Sequence, residues 1–179
     1  MRRIIESTLV SLDGVIGDPH IWAMERFDDD AQKEALEGLL ASDAMLLGRR
    51  TYEIFAGVWP ARRGAYADRL NTMRKYVFSS TLRKVDWNNS TIIHGDVVAE
   101  AAKLKEQEGK RLIMYGHGLL SQTLLQHNLL DEMHFSVHPV LVGSGKLLFH
   151  EGAMAKLELV SATPRLNGVV VLSYKPMKT

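Results

Sequence analysis

The chain contains no cysteine. Disulfides, thiolate nucleophiles and cysteine-ligated zinc are therefore excluded, and a reducing, cytoplasmic location is permitted. It carries almost no net charge: 22 lysines and arginines oppose 21 aspartates and glutamates, for a formal +1. That balance makes no electrostatic case for nucleic acid or an anionic membrane as partner. No run approaches the ~20 apolar residues of a membrane span. Met1-Arg2-Arg3 leads straight into Ile4-Ile5-Glu6, without the apolar core of a secretion signal. No internal repeat, low-complexity tract, linker, full Walker loop or H-E-x-x-H is present. What remains is 179 residues, 46% hydrophobic and 24% charged, which fits one domain over residues 1–179 with a real core.

The pattern along the chain alternates. Ile4–Leu12, Ala44–Leu47, Lys75–Phe78, Thr91–His94 and Leu112–Met114 read as short strands. Between them lie helical stretches. One opens at Asp28-Asp29-Asp30, places Ala31, Ala35, Leu36, Leu39 and Leu40 on one face, and ends near Ser42. Another begins at Gly48 and ends around Trp59-Pro60. A third carries Val97, Ala101 and Leu104 inward and stops at Gly109. A fourth runs from Leu119 to about Gln126. From Asp131 the texture changes. Met133, Phe135 and Val137 alternate with Glu132, His134, Ser136 and His138, a half-buried strand. Lys146–Phe149 reads as a short extended piece, and Leu157–Ala162 and Val169–Tyr174 as strands joined through Asn167-Gly168. The expected fold is α/β: a mostly parallel central sheet with helices on both faces and antiparallel C-terminal strands.

In such sheets ligands sit off the carboxyl ends of the strands, and four suggestive loops fall there. Ile113–Gln122, I-M-Y-G-H-G-L-L-S-Q, places Gly116 and Gly118 between a strand and a helix start. That junction presents bare N–H groups and the positive end of a helix dipole to an anion; it reads equally as a tight turn. Gly48-Arg49-Arg50-Thr51 repeats the junction with two arginines, whose planar donors suit phosphate. Ser79-Ser80-Thr81 offers three hydroxyls for ribose or phosphate oxygens. Ser11-Leu12-Asp13-Gly14-Val15-Ile16-Gly17 bends sharply after the first strand.

Asp13 is the candidate polar substrate contact or proton relay, a role that needs burial to raise its pKa. Trp22, Tyr52, Phe55 and Trp59 are candidate cavity-lining residues, with core packing as the competing role. His117 either faces a phosphate or points to solvent. His134 and His138 lie about 13 Å apart along a strand at ~3.3 Å per residue. They cannot share one metal ion and read as a polar strand face; no metal site is expected.

Taken in order, these stretches, together with Pro139-Val140-Leu141-Val142-Gly143-Ser144-Gly145, resemble the dihydrofolate reductase superfamily. The nearer resemblance is to the C-terminal reductase domain of the riboflavin-biosynthesis deaminase-reductase, here as a stand-alone version. The resemblance implies a three-layer dihydrofolate-reductase-like fold and an NADPH-dependent reductase. Its substrate would be a small heterocycle or a ribosylamino-pyrimidine, as in 5-amino-6-(5-phosphoribosylamino)uracil reduction. It implies that Gly48, Arg49, Arg50 and Thr51 hold cofactor phosphates and that Ser79 and Ser80 lie beside the adenosine ribose phosphate. It places Gly116, His117, Gly118 and Leu119 under the pyrophosphate and nicotinamide, Ile16 and Gly17 near the nicotinamide, and Ser11 and Asp13 at the substrate. It also implies a cytoplasmic homodimer, with Glu132–His138 and Val142–Leu147 at the contact. Two features depart from the superfamily. Gln32 stands near where dihydrofolate reductases carry an acid in the first helix, with Asp28, Asp29 and Asp30 nearby, and the deaminase half with its zinc ligands is absent. Dihydrofolate reduction and a non-catalytic NADP(H)-binding protein are the alternatives.

Overall fold

The structure, a computed structural model, describes residues 1–149 and 154–178. Among the described residues, eight strands form one sheet in the order β4-β3-β2-β5-β1-β6-β8-β7. These are β1 (Ile4–Ser11), β2 (Ser42–Gly48), β3 (Arg74–Phe78), β4 (Ser90–Ile93), β5 (Arg111–Tyr115), β6 (Glu132–His138), β7 (Leu157–Pro164) and β8 (Val170–Pro176). The first six run parallel, while β8 runs antiparallel to both β6 and β7. The helices are α1 (Pro19–Trp22), α2 (Asp29–Leu40), α3 (Arg49–Val58), α4 (Ala65–Thr72), α5 (Val97–Glu106) and α6 (Leu119–Gln126). This is the expected α/β architecture, antiparallel C-terminal pair included.

Local chemistry explains the boundaries. Asp28 and Asp96 cap α2 and α5 by accepting the N–H groups of Ala31 and Ala99 at 2.9 and 2.8 Å. Between β7 and β8 the turn closes with Gly168 at φ +85°. Four details differ from the sequence reading. Residues 65–72 form α4, a helix hidden because only Ala67 and Leu70 are buried along its two turns. Trp22 ends the one-turn helix α1, in a stretch to which the sequence reading assigns no element. Leu40 is 52% exposed, because α2 docks through a narrow stripe centred on Leu39. Of Lys146–Phe149, only Leu147 pairs, in a single bridge to Val15.

The two sheet faces are covered unequally. One core packs β1, β2, β5 and β6 against α5 and α6, through Ile4, Val10, Leu46, Met114, Met133 and Phe135. The other lies over β2, β3 and β5, through Met45, Leu47, Val77 and Ile113, with Tyr52, Leu70 and Trp87 above. It includes no residue of β1, β6 or β8. On that side Ser7 and Leu9 of the central strand keep partial exposure, as do His134 and Ser136 beside them. The sheet face over β1 and β6 is therefore left partly open to solvent.

Lys75 is the unusual element of the second core. It is 0% exposed, its ammonium donates to the carbonyls of Met73 and Asn88 at 2.8 and 2.9 Å, and it lies 4.2 Å from the centre of the Trp87 ring. Burial pulls its pKa down to about 8 from 10.5. Between those values the unfolded chain binds the proton and the folded chain does not, so stability rises with pH across that window. Denaturant unfolding from pH 8 to 10.5 should show that rise in the wild type, and Lys75→Met should flatten it.

Candidate active site

Six parallel strands end on one rim, at Ser11, Gly48, Phe78, Ile93, Tyr115 and His138. Two helices begin there directly, α3 after Gly48 and α6 after Gly118. A Cβ on Gly48 would lie 3.8 Å from Cβ of Leu120, so the two helix starts are neighbours. Neither has a capping side chain or an acidic residue in its first turn. Their leading N–H groups thus point their partial positive charge at the same space. Gly116 needs to be glycine for its backbone, at φ +73°; Gly118 has an ordinary φ of −114° and leaves room instead. A Cβ there would lie 3.9 Å from the Lys146 ammonium, which donates to the His117 carbonyl at 3.1 Å. Burial, and next the charge of nearby Arg50, lower the Lys146 pKa.

Lys146 was not among the residues singled out from the sequence. Its signal was a lysine immediately after Gly143-Ser144-Gly145. Its own carbonyl accepts the amides of Ile16 and Gly17 at 2.8 and 3.3 Å. The first loop, the glycine turn and the 139–148 loop are thereby joined through one residue.

Asp13 is exposed and lacks the burial that an acid working near neutral pH would need. It accepts from the Ser11 hydroxyl at 2.5 Å and from the amides of Gly143 and Val142 at 2.7 and 3.2 Å. These bonds, Ser11 first, lower its pKa to about 2. Such a carboxylate stays ionised at neutral pH and works as a latch between two loops. Ser11, buried, also accepts the Val15 amide at 2.8 Å and belongs to the same latch.

His117 faces neither a phosphate nor solvent. Its side chain is buried, with Nδ1 3.1 Å from both carboxylate oxygens of Glu6. Glu6 also accepts from Thr8 at 2.9 Å and from Ser121. The His117 backbone stays on the rim while its side chain anchors the turn from below. Leu119 projects into solvent at the head of α6.

At the outer end of the rim, Arg49 donates to Glu53 and to the Thr81 hydroxyl, both at 2.7 Å. The Ser79 hydroxyl accepts from Leu82 at 3.0 Å, while Ser80 is exposed. Arg50 is exposed and Thr51 partly buried at the α3 start.

The four aromatic candidates do not share a cavity. Tyr52 is core, its hydroxyl accepting the amides of Asp86 and Trp87 at 3.0 and 3.2 Å. Phe55 and Trp59 pack beside it, 6.2 Å between ring centres. Trp22 stands apart, donating to the Gly17 carbonyl at 2.9 Å and meeting His138 edge-on at 5.6 Å. The polar strand face also divides. His134 is partly exposed and bonded to Glu132, but His138 is only 3% exposed and its Nδ1 has no partner among the described residues. No described cluster of His, Asp and Glu could hold a metal.

A family model for the RibD C-terminal domain matches residues 2–171. The chain belongs to the RibD C-terminal domain family. Its sequence is similar to YyaP of Bacillus subtilis (strain 168), at 30% identity over 97% of this chain and 94% of that protein. A putative riboflavin biosynthesis protein from Shewanella sp. PV-4 shares the fold at TM-score 0.77, with 21% identity over 98% of this chain and 99% of that one. The Thermotoga maritima deaminase/5-amino-6-(5-phosphoribosylamino)uracil reductase does so at 0.67 and 15%, over 98% of this chain and 57% of that one. Dihydrofolate reductase from Enterococcus faecalis, complexed with NADP(H), does so at 0.68 and 13%, over 98% and 97%.

The latch carries a prediction. The stability it contributes is present above the ordinary Asp pKa of 3.8 and is lost as pH falls through about 2. Asp13→Asn should speed hydrogen exchange at the Val142 and Gly143 amides at neutral pH, with little change in the sheet. Unchanged exchange at those two amides would refute the latch.

Proposed function

We propose that this family member is an NADPH-dependent reductase that passes hydride to a small heterocycle, most simply a ribosylamino-pyrimidine. The observation that carries the reading is the rim itself: two uncapped helix N-termini side by side, with Arg50 in the first turn of one and the Lys146 ammonium beside the start of the other. A dinucleotide pyrophosphate matches that donor set. Arg49, Thr81 and exposed Ser80 lie at the strand end beyond α3, where a further phosphate on the adenosine ribose would distinguish NADPH from NADH. Gly116 and Gly118 leave the rim uncrowded for the nicotinamide, with Ile16 and Gly17 of the first loop beside it.

When bound, the cofactor supplies the hydride. The protein's part is to hold the phosphates at the helix starts, to close the first loop over them through Lys146 and Asp13, and to present the substrate from the open face over β1 and β6. Folate is disfavoured as substrate. The inward face of α2 is Ala31, Ala35, Leu36 and Leu39, whereas Asp29, Asp30, Glu34 and Glu37 are exposed. The Thermotoga enzyme's named substrate is the natural first trial. We infer a cytoplasmic homodimer on the same resemblance; light scattering should give twice the chain mass of 20.1 kDa, and a single-chain mass contradicts it.

The test is NADPH consumption, followed by nicotinamide absorbance, with 5-amino-6-(5-phosphoribosylamino)uracil and with dihydrofolate as acceptors. Oxidation with the first and not the second is expected. Arg50→Gln and Lys146→Met should each weaken NADPH binding about 10- to 100-fold, the range of a charge-assisted hydrogen bond. Unaltered affinity in both variants would remove the rim from the site.

A further inference from the structure

Four adjacent strands place a line of side chains on the open face of the sheet. Tyr115 of β5 pairs with Ser7 of β1, Ser7 with His134 of β6, and His134 with Ser173 of β8. Side chains in register across a sheet share a face, at strand spacings of about 4.8 Å. His134 therefore lies two strands, roughly 10 Å, from Tyr115, whose successor Gly116 starts the glycine turn and donates to the Ser7 carbonyl at 2.9 Å. The second core does not reach this line beyond β5, and His134 keeps 29% side-chain exposure in the middle of an eight-stranded sheet.

His134 is also oriented. Its Nε2 bonds Glu132 Oε1 at 2.6 Å, and Arg3 holds the other oxygen of that carboxylate. A ring nitrogen tied to a carboxylate carries the proton, which leaves Nδ1 as the exchangeable position. Nδ1 is not among the buried unpartnered atoms and makes no hydrogen bond among the described residues. The other titratable groups near the open face are engaged or unsuited. Asp13 is latched, Tyr115 is bonded to Tyr66 with its pKa raised well above normal by burial, and His138 is enclosed beneath Trp22. Beside Glu132 the charged groups are Arg3 and, across on β8, exposed Lys175.

We propose that His134, oriented by Glu132, is the residue that exchanges a proton with the substrate on this face. The inference rests on the reductase reading. When bound, the cofactor would supply hydride to the electrophilic carbon of a C=O or C=N group and be oxidised to NADP+, while the π pair moves to the heteroatom. The doubly protonated His134 ring gives that atom its Nδ1 proton, keeps its Nε2 proton on Glu132, and is reprotonated at Nδ1 from water. The substrate class is a small polar molecule with a reducible C=O or C=N. Its remaining polar groups meet Ser7 and Ser136.

The test uses NADPH-loaded protein with 5-amino-6-(5-phosphoribosylamino)uracil as probe. His134→Gln should lower kcat about 100-fold or more, as expected for a lost general acid, with NADPH affinity and probe KM within about twofold. The alkaline limb of the wild-type kcat–pH profile should vanish with it. In Glu132→Gln kcat should fall by less than in His134→Gln, because the ring keeps its proton but loses the group that orients it. On wild-type protein, long-range proton–nitrogen spectra should show the His134 Nδ1 resonance moving when the probe is added. An unchanged kcat and limb in His134→Gln, an unmoved Nδ1 resonance, or a parallel loss of NADPH affinity overturns the role of His134 and leaves the reductase reading standing. Failure of the wild type to bind NADPH overturns both.

Discussion

A carboxylate at 0% exposure in the centre of a sheet has to be satisfied or it unfolds the chain. Glu6 is that group, on β1, the strand with β5 on one side and β6 on the other. Its oxygens take Thr8 from its own strand, Ser121 from α6 and His117 from the glycine turn. One buried carboxyl group thereby fixes where β5 stops, how the turn leaves it and where α6 begins. The alignment of α6 beside α3, the reach of Lys146 to the His117 carbonyl and the closure of the first loop all depend on that turn. Removing any partner would leave an uncompensated buried group, at a cost of several kcal/mol, and would do so directly beneath the candidate phosphate cradle.

The second constraint is asymmetry between the faces. Towards α5 and α6 the sheet is closed, with Val10, Met114, Met133 and Phe135 packed together beside the Glu6 network. Towards α2 the core stops at β5, and β1, β6 and β8 present Ser7, Ser136, His134 and Ser173 instead. Polar side chains on central strands are costly unless they meet water or a ligand. The same rim that gathers positive charge opens onto this polar floor, the arrangement that the proposed cofactor and substrate would need.

Much of this was legible in the sequence, because periodicity and glycine placement are local properties. Leu119–Gln126 follows from apolar spacing after Gly118, and the parallel sheet follows from strand–helix alternation. Direction was not legible. His117 sits in the expected turn, but only the fold shows that β1 places Glu6 beneath it. Asp13 sits in the expected loop, but its partners Val142 and Gly143 are some 130 residues away in sequence. The aromatic residues behaved similarly. Tyr52, Phe55 and Trp59 share a helical side with the candidate site yet turn to the second core, since Trp87 arrives from a distant loop to cover them. The helix α4 escaped notice because two buried positions make too weak a periodic signal.

A rim that cradles a dinucleotide pyrophosphate with room for one phosphate more must prefer NADPH to NADH. A calorimetric titration of the wild-type chain with NADPH and, separately, with NADH at the same ionic strength measures that preference. One site per chain for NADPH, at least about tenfold tighter than for NADH, is the predicted result, equivalent to roughly 1.4 kcal/mol. Binding of neither nucleotide, or equal binding of both, would contradict it.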